Sequence, residues 1–180
     1  DPVIEIGITP NRPDALGVYG IARDLYAKGL GKLIPRKIGD IYSTFDSPVD
    51  VVLDNSVSTK DCPYFLGRYI KGINNSSSPN WLQNRLIKIG LRPISGLVDL
   101  TNFLTFDSAR PLHAFDADRL EGDLVVRKAK NGEELKALDG NVYKLDDTMT
   151  VIADSKCVQA IGGIIGGENS GCSESTKNIF

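Results

Sequence analysis

Residues 123–166, DLVVRKAKNGEELKALDGNVYKLDDTMTVIADSKCVQAIGGIIG, decide the fold class of this chain. They divide into short runs rich in Val, Ile and Leu: DLVVRKAK, ELKALDG, NVYKL, TMTVIAD and CVQAIGGII. Asn131-Gly132 and Asp139-Gly140 stand between runs, and such dipeptides accept the positive φ angles of tight hairpin turns. The stretch is therefore predicted to be strands joined by short turns.

Upstream the periodicity becomes helical. SSSPNWLQNRLIKIG, residues 76–90, predicts a helix with Ser78 as N-cap and Pro79 in the first turn. Trp81, Leu82, Leu86 and Ile89 would face the core, and Gly90 would stop the helix. A second helix is expected from about Ser95, carrying GLVDLTNFLTF. VDVVLD and YFLGRYIKGI, between residues 49 and 73, read as two strands. Residues 3–8 read as a short strand, TPNRPD as a turn, and the segment from Pro13 as a helix ending near Gly29. One strand and one helix cannot close a core, so this opening part reads as a partial small α/β lobe. Scattered Gly, Pro, Ser and Asp over residues 31–50 mark a connector and a domain boundary, which divides the chain into 1–40 and 41–180. Helices and strands are otherwise segregated. The expected class is α+β, with mixed and antiparallel sheets and a few packed helices after the partial lobe.

Composition narrows the function. The chain has 180 residues, 41% hydrophobic and 24% charged, which fits a globular domain and not a disordered, collagen-like or coiled-coil chain. No apolar run reaches the roughly 20 residues that span a bilayer. The first segment is acidic and broken by prolines, unlike a secretory signal, so a cytoplasmic protein without membrane contact is expected. With 21 basic and 23 acidic residues the net charge is −2, so no broad cationic field attracts nucleic acid and any such contact must be local. Cys62, Cys157 and Cys172 lack C-x-x-C spacing and there is one histidine, which argues against a disulfide framework or a metal site. Met149 is the only methionine, so the chain reads as a piece of something larger.

Two features could carry chemistry. His113, in ARPLHAFDADRL, titrates near neutral pH and could orient or deprotonate a water, with Asp116 and Asp118 nearby in sequence. Thr101 and Asn102 add neutral hydrogen-bonding groups, although a helix cap or a solvated face would account for them equally. The second feature is AIGGIIGGENSG, residues 160–171, where glycines let backbone N–H groups approach a ligand or a developing negative charge. It lacks the Gly-Lys-Ser/Thr of a phosphate loop and the spacing of a dinucleotide fingerprint, and a tight strand corner is the alternative. The residues alone lead to a His-assisted hydrolytic or binding site beside a glycine-rich loop.

Four segments, ITPNRPDALGVYGIARDLYA, SPNWLQNRLIKIGLRPISGLVDLTNF, RPLHAFDADRL and AIGGIIGGENS, together resemble the family of bacterial phenylalanyl-tRNA synthetase β subunits. The resemblance implies that residues 1–40 end a first N-terminal lobe and that 41–180 form the B3/B4 module, which contacts tRNA and removes tyrosine wrongly attached to the phenylalanine tRNA. It implies Thr101, Asn102 and His113 as the editing residues, with Gly162, Gly163 and Gly166 cradling the amino acid and no metal in the site. Many family members have alanine at the position of Gly162 and glutamine at that of Arg110. The family's glutamate for the tyrosine hydroxyl falls after Phe180, so the 180-residue chain is expected to hydrolyse the ester weakly or not at all. The resemblance also implies an α subunit as partner in an α₂β₂ assembly, with ATP and Mg²⁺ serving the parent enzyme and no cofactor in this piece. The alternatives are a non-catalytic tRNA-contacting or subunit-scaffolding module and a free-standing editing factor.

Overall fold

The computed structural model describes residues 2–180. They form two compact units: one holds residues 2–44 and 76–112, the other residues 45–75 and 113–180. The chain is α+β, with helices in the first unit and strands in the second.

The helical unit contains α1 (Val18–Ala27), α2 (Asn80–Lys88) and α3 (Gly96–Ser108). Pro13–Ala15 make a single 3-10 turn ahead of α1, where a fixed proline φ suits a helical start. Residues 3–8 have strand-like composition but form no strand, because no second segment supplies a ladder for their N–H and C=O groups. α2 begins after Pro79, and Ser78 does not cap it. The Ser78 hydroxyl donates instead to the carboxylate of Asp99, which lies in the first turn of α3 and is 1% exposed. Asp99 also accepts the N–H of Ile94 at 2.8 Å. A buried carboxylate near a helix N-terminus is favoured by the helix dipole and by these donors, and here it ties the start of α2 to the start of α3. Leu82 and Leu86 are buried as expected, whereas Trp81 is 53% exposed and packs edge-to-face on Phe103. No helix among the described residues is long and apolar enough to cross a membrane.

The second unit is built on strands β1 (Val51–Leu53), β2 (Leu124–Lys128), β3 (Glu134–Lys136), β4 (Val142–Lys144), β5 (Thr150–Ala153), β6 (Val158–Ile161) and β7 (Ile165–Gly166). Five form one sheet in the order β1-β2-β5-β6-β7, parallel between β1 and β2 and antiparallel elsewhere, while β3 and β4 make a separate hairpin. Residues directly opposite in an antiparallel pair share a face. Val151 opposite Ile161 joins a core with Leu135, Ala137 and Leu145 of the hairpin region, and Ile152 opposite Ala160 joins one with Val49, Phe115, Ala117, Leu124 and Phe180. The central strands are therefore covered on both faces, which is why β6 is buried at all four positions and its sequence does not alternate.

Non-local backbone pairing completes this unit. Phe115 exchanges both hydrogen bonds with Phe180 at 2.9 and 3.0 Å, Asp116 N–H donates to Ser170 O at 2.8 Å, and Ala117 N–H donates to Asn178 O at 2.9 Å. Residues 64–73, read from sequence as a strand, form no continuous strand: Ile70 exchanges bonds with Ile179, and the Ile73 N–H donates to Lys177 O at 2.8 Å.

Asp99→Ala is expected to lower the unfolding free energy by about 2 kcal/mol, since it strands the buried Ser78 hydroxyl and removes two charge-assisted hydrogen bonds. Urea unfolding followed by circular dichroism measures this, and an unchanged midpoint would contradict the role assigned to Asp99.

Candidate functional site

His113 enters the sheet unit just ahead of the paired segment, so its backbone direction is set by the pinning of Phe115 between residues 171 and 180. Its ring meets Phe115 edge-to-face, with centroids 4.4 Å apart and planes at 77°. Beneath it lies Gly166 of β7. A Cβ at that position would stand 2.3 Å from His113 Cε1 and 2.8 Å from Nε2, so the imidazole occupies the space that any side chain there would need. His113 remains exposed to solvent, while the packed edge of the ring is desolvated enough to lower its pKa from the ordinary value of 6.5. Burial alone is the cause. At neutral pH the ring is then uncharged, with one nitrogen lone pair able to take a proton.

The acidic neighbours in sequence serve other ends. The Asp116 carboxylate is buried and accepts from Thr176 Oγ1 at 2.6 Å and from the Asp118 N–H at 3.2 Å, with Arg119 Nε at 3.7 Å. Asp118 accepts from Asn178 Nδ2 at 2.8 and 3.0 Å. Both carboxylates fasten the C-terminal segment. Cys172 donates to Ala114 O at 3.4 Å, and burial, with the charge of Asp116 adding to it, pushes its thiol up to about 11, so it is neutral and unreactive at pH 7.

The glycine-rich stretch divides in two. Residues 161–164 form a tight turn closed by Ile164 N–H to Ile161 O at 3.0 Å, with Gly163 at φ +71° and open space around its Cα. The Gly162 N–H is spent on Thr150 O at 2.9 Å, and the Gly167 N–H on Gln159 O at 2.7 Å. Gly163 is thus the turn residue with room for a ligand. Gly162 lines a cavity of about 540 Å³ with Lys128, Tyr143, Met149, Thr150 and Ile164, and neither His113 nor Gly166 takes part in it. A larger cavity of about 740 Å³ lies within the helical unit, under residues 2–8 and against Phe103 and Phe106, and also lacks His113.

The structure brings His113 and Gly166 into contact. Thr101 and Asn102 lie half-buried on α3, in the helical unit, where the Thr101 hydroxyl donates to Val98 O at 2.9 Å and keeps its lone pairs for other donors. Sequence reasoning missed Phe115 and Leu138 beside His113. The one available signal for Leu138 was its placement, a large aliphatic residue directly before the Asp139-Gly140 turn. Among the described residues no group of three or more His, Cys, Asp or Glu side chains converges as metal ligands would.

Because His113 is the only histidine, its ring signals titrate without overlap. The midpoint is expected below 6.5, and a value at or above 6.5 would contradict the packing described. The unfolded chain takes the proton more readily than the folded one. The contribution of His113 to stability is therefore fully present above pH 6.5 and is lost as pH falls through the folded-state midpoint.

Comparison with known proteins agrees with this architecture. The family model described as the B3/4 domain matches residues 61–180. Phenylalanine–tRNA ligase β subunits are similar over the whole chain: 54% identical in Ruegeria pomeroyi, 54% in Mesorhizobium japonicum and 53% in Rhodospirillum rubrum. The chain spans only 22–23% of the length of these relatives. A crystal structure of an N-terminal fragment of the phenylalanyl-tRNA synthetase β subunit from Pyrococcus horikoshii shares the fold, with a TM-score of 0.51 over 94% of this chain and 51% of that one, at 20% identity. With two thirds of its residues matched by the family model and its full length matched by these relatives, the chain belongs to the B3/4 domain family, in the form carried by phenylalanine–tRNA ligase β subunits.

Proposed function

We propose that this chain is the editing region of a phenylalanine–tRNA ligase, where tyrosine mistakenly esterified to the phenylalanine tRNA is hydrolysed. The observation that carries the reading is the His113 imidazole, seated on Gly166, desolvated on its packed edge and open to solvent on another. Such a ring can accept a proton from water at neutral pH. The water oxygen would bond to the ester carbonyl carbon as its proton passes to His113. Collapse of the tetrahedral intermediate then breaks the ester bond to the ribose oxygen, which recovers the proton from the imidazolium. An aminoacyl ester is already activated, so the step requires no protein nucleophile.

The remaining assignments follow the same logic. Gly163 offers backbone in an open turn where an N–H could meet the substrate's oxygen or amino-acid backbone, while Gly162, its N–H spent on Thr150 O, contributes shape and Gly166 leaves the space the His113 ring fills. Thr101 and Asn102 would hold the ester end of the tRNA. A second site is physically required because a pocket selected for phenylalanine rejects an added hydroxyl poorly. Residues 1–40 would belong to the preceding small lobe and 41–180 to the module. The parent would act in the cytoplasm with an α subunit and tRNA, joining phenylalanine to tRNA with ATP and Mg²⁺. Those two groups serve the parent's ligation, and no step here is derived through them.

A second reading, a packing module for the rest of the parent, is favoured by the apolar surface of the helical unit, where Leu16, Val18, Trp81, Ile87 and Phe106 are exposed. His113→Ala in the complete ligase separates the two. Clearance of preformed Tyr-tRNA is expected to fall by about 10²-fold or more, the usual scale of a lost general base, with aminoacylation by phenylalanine retained. Unchanged clearance would leave the packing role alone standing.

A further inference from the structure

Leu138 stands immediately before the Asp139-Gly140 turn and is 55% exposed. Isolated apolar side chains are common on protein surfaces, so exposure by itself says nothing. What distinguishes Leu138 is how firmly it is held. Its N–H donates to Gly166 O at 3.0 Å, Ala137 bridges Gly167, and the Glu168 N–H donates to Lys136 O at 2.8 Å. Residues 136–138 are thereby laid along residues 166–168 as an extra rung of pairing. The two side-chain branches each meet a glycine: Cδ1 is 3.1 Å from where a Cβ of Gly166 would be, and Cδ2 is 3.1 Å from that of Gly171. The point above Gly166 that Leu138 Cδ1 approaches is the one His113 Cε1 approaches at 2.3 Å. Leucine and imidazole therefore stand side by side over one Cα.

We infer that Leu138 is a positioning residue for His113, the wall that keeps the imidazole seated against β7. A histidine ring turns freely about two side-chain bonds, and a glycine floor offers no groove to stop it. Phe115 meets one side of the ring, and Leu138 Cδ1 stands over the same Gly166 that the ring covers. The charged groups nearby are engaged elsewhere: the Cys172 thiol beside Ala114 is neutral at pH 7, the Asp116 carboxylate is taken up by Thr176 and Arg119, and Lys136 and Glu168 on the paired segments hold each other at 2.7 Å. The inference rests on the hydrolytic reading of His113 for its catalytic consequence, but the seating itself does not depend on that reading.

Leu138→Ala and Leu138→Met test it, with two readouts. In the complete ligase, Leu138→Ala is expected to lower kcat for Tyr-tRNA hydrolysis about 10-fold, with KM little changed, as a misplaced catalytic group does. Leu138→Met, similar in volume, should restore most of the rate. In the 180-residue chain, the His113 titration midpoint should rise toward 6.5 in Leu138→Ala and return in Leu138→Met. If Leu138→Ala unsettles the hairpin, as lost amide dispersion would reveal, Leu138→Val repeats the measurement with a smaller truncation. A midpoint and a kcat both unchanged in the alanine variant would overturn the inference. Absence of Tyr-tRNA hydrolysis by the unsubstituted ligase, together with a raised midpoint in Leu138→Ala, would overturn the hydrolytic reading and uphold the seating.

Discussion

At Gly166 a strand backbone and an imidazole ring share a space too small for a methyl group, the nearest ring carbon lying 2.3 Å from where that methyl would begin. Several parts of the sheet unit meet at this point. β7 must pair with β6 to present Gly166, the hairpin must lie along residues 166–168 to bring Leu138 beside it, and residues 113–117 must be pinned to deliver His113. Each of these is a backbone pairing between segments far apart in sequence. The ring's position is thus set by the ladder, and its desolvation, which keeps it neutral, follows from that position.

The C-terminal residues matter for the same reason. Phe180 is buried in the core that includes Phe115, Ala117 and Leu124, and its backbone completes the pairing of residue 115. Asp116 and Asp118 hold the same segment through Thr176 and Asn178. A carboxylate three or five residues from a histidine invites assignment as its orienting partner. Here the acids serve the fold instead, and the histidine is oriented by packing.

This contrast marks what the sequence could and could not convey. Local signals were legible: Gly132 and Gly140 do adopt positive φ, Gly140 in the β3–β4 hairpin and Gly132 in a turn between strands of different sheets, and α2 and α3 lie where apolar spacing and flanking residues place them. Features that depend on a distant partner were not. Ser78 follows the capping rule by type, yet its hydroxyl donates to Asp99 of another helix and accepts no N–H from α2. Residues 64–73 have strand composition, but their backbone partners are scattered and distant, Ile70 at Ile179 and Ile73 at Lys177. The candidate site was half legible. His113 and the glycines stood out by type, while the contact between His113 and Gly166 spans 53 positions and no spacing rule encodes it. Leu138 and Phe115 had no chemical signature, because they act by occupying space.

The central claim is that the surface around His113 and Gly166 receives the tyrosyl end of a mischarged tRNA. The most direct measurement adds an adenosine carrying tyrosine through an amide, in place of the labile ester, to the isotopically labelled chain and follows amide and imidazole signals. The account predicts shifts centred on His113, Gly163 and Gly166, stronger for the tyrosyl compound than for its phenylalanyl counterpart. Shifts absent there, or confined to the 540 Å³ cavity around Lys128 and Tyr143, would contradict it.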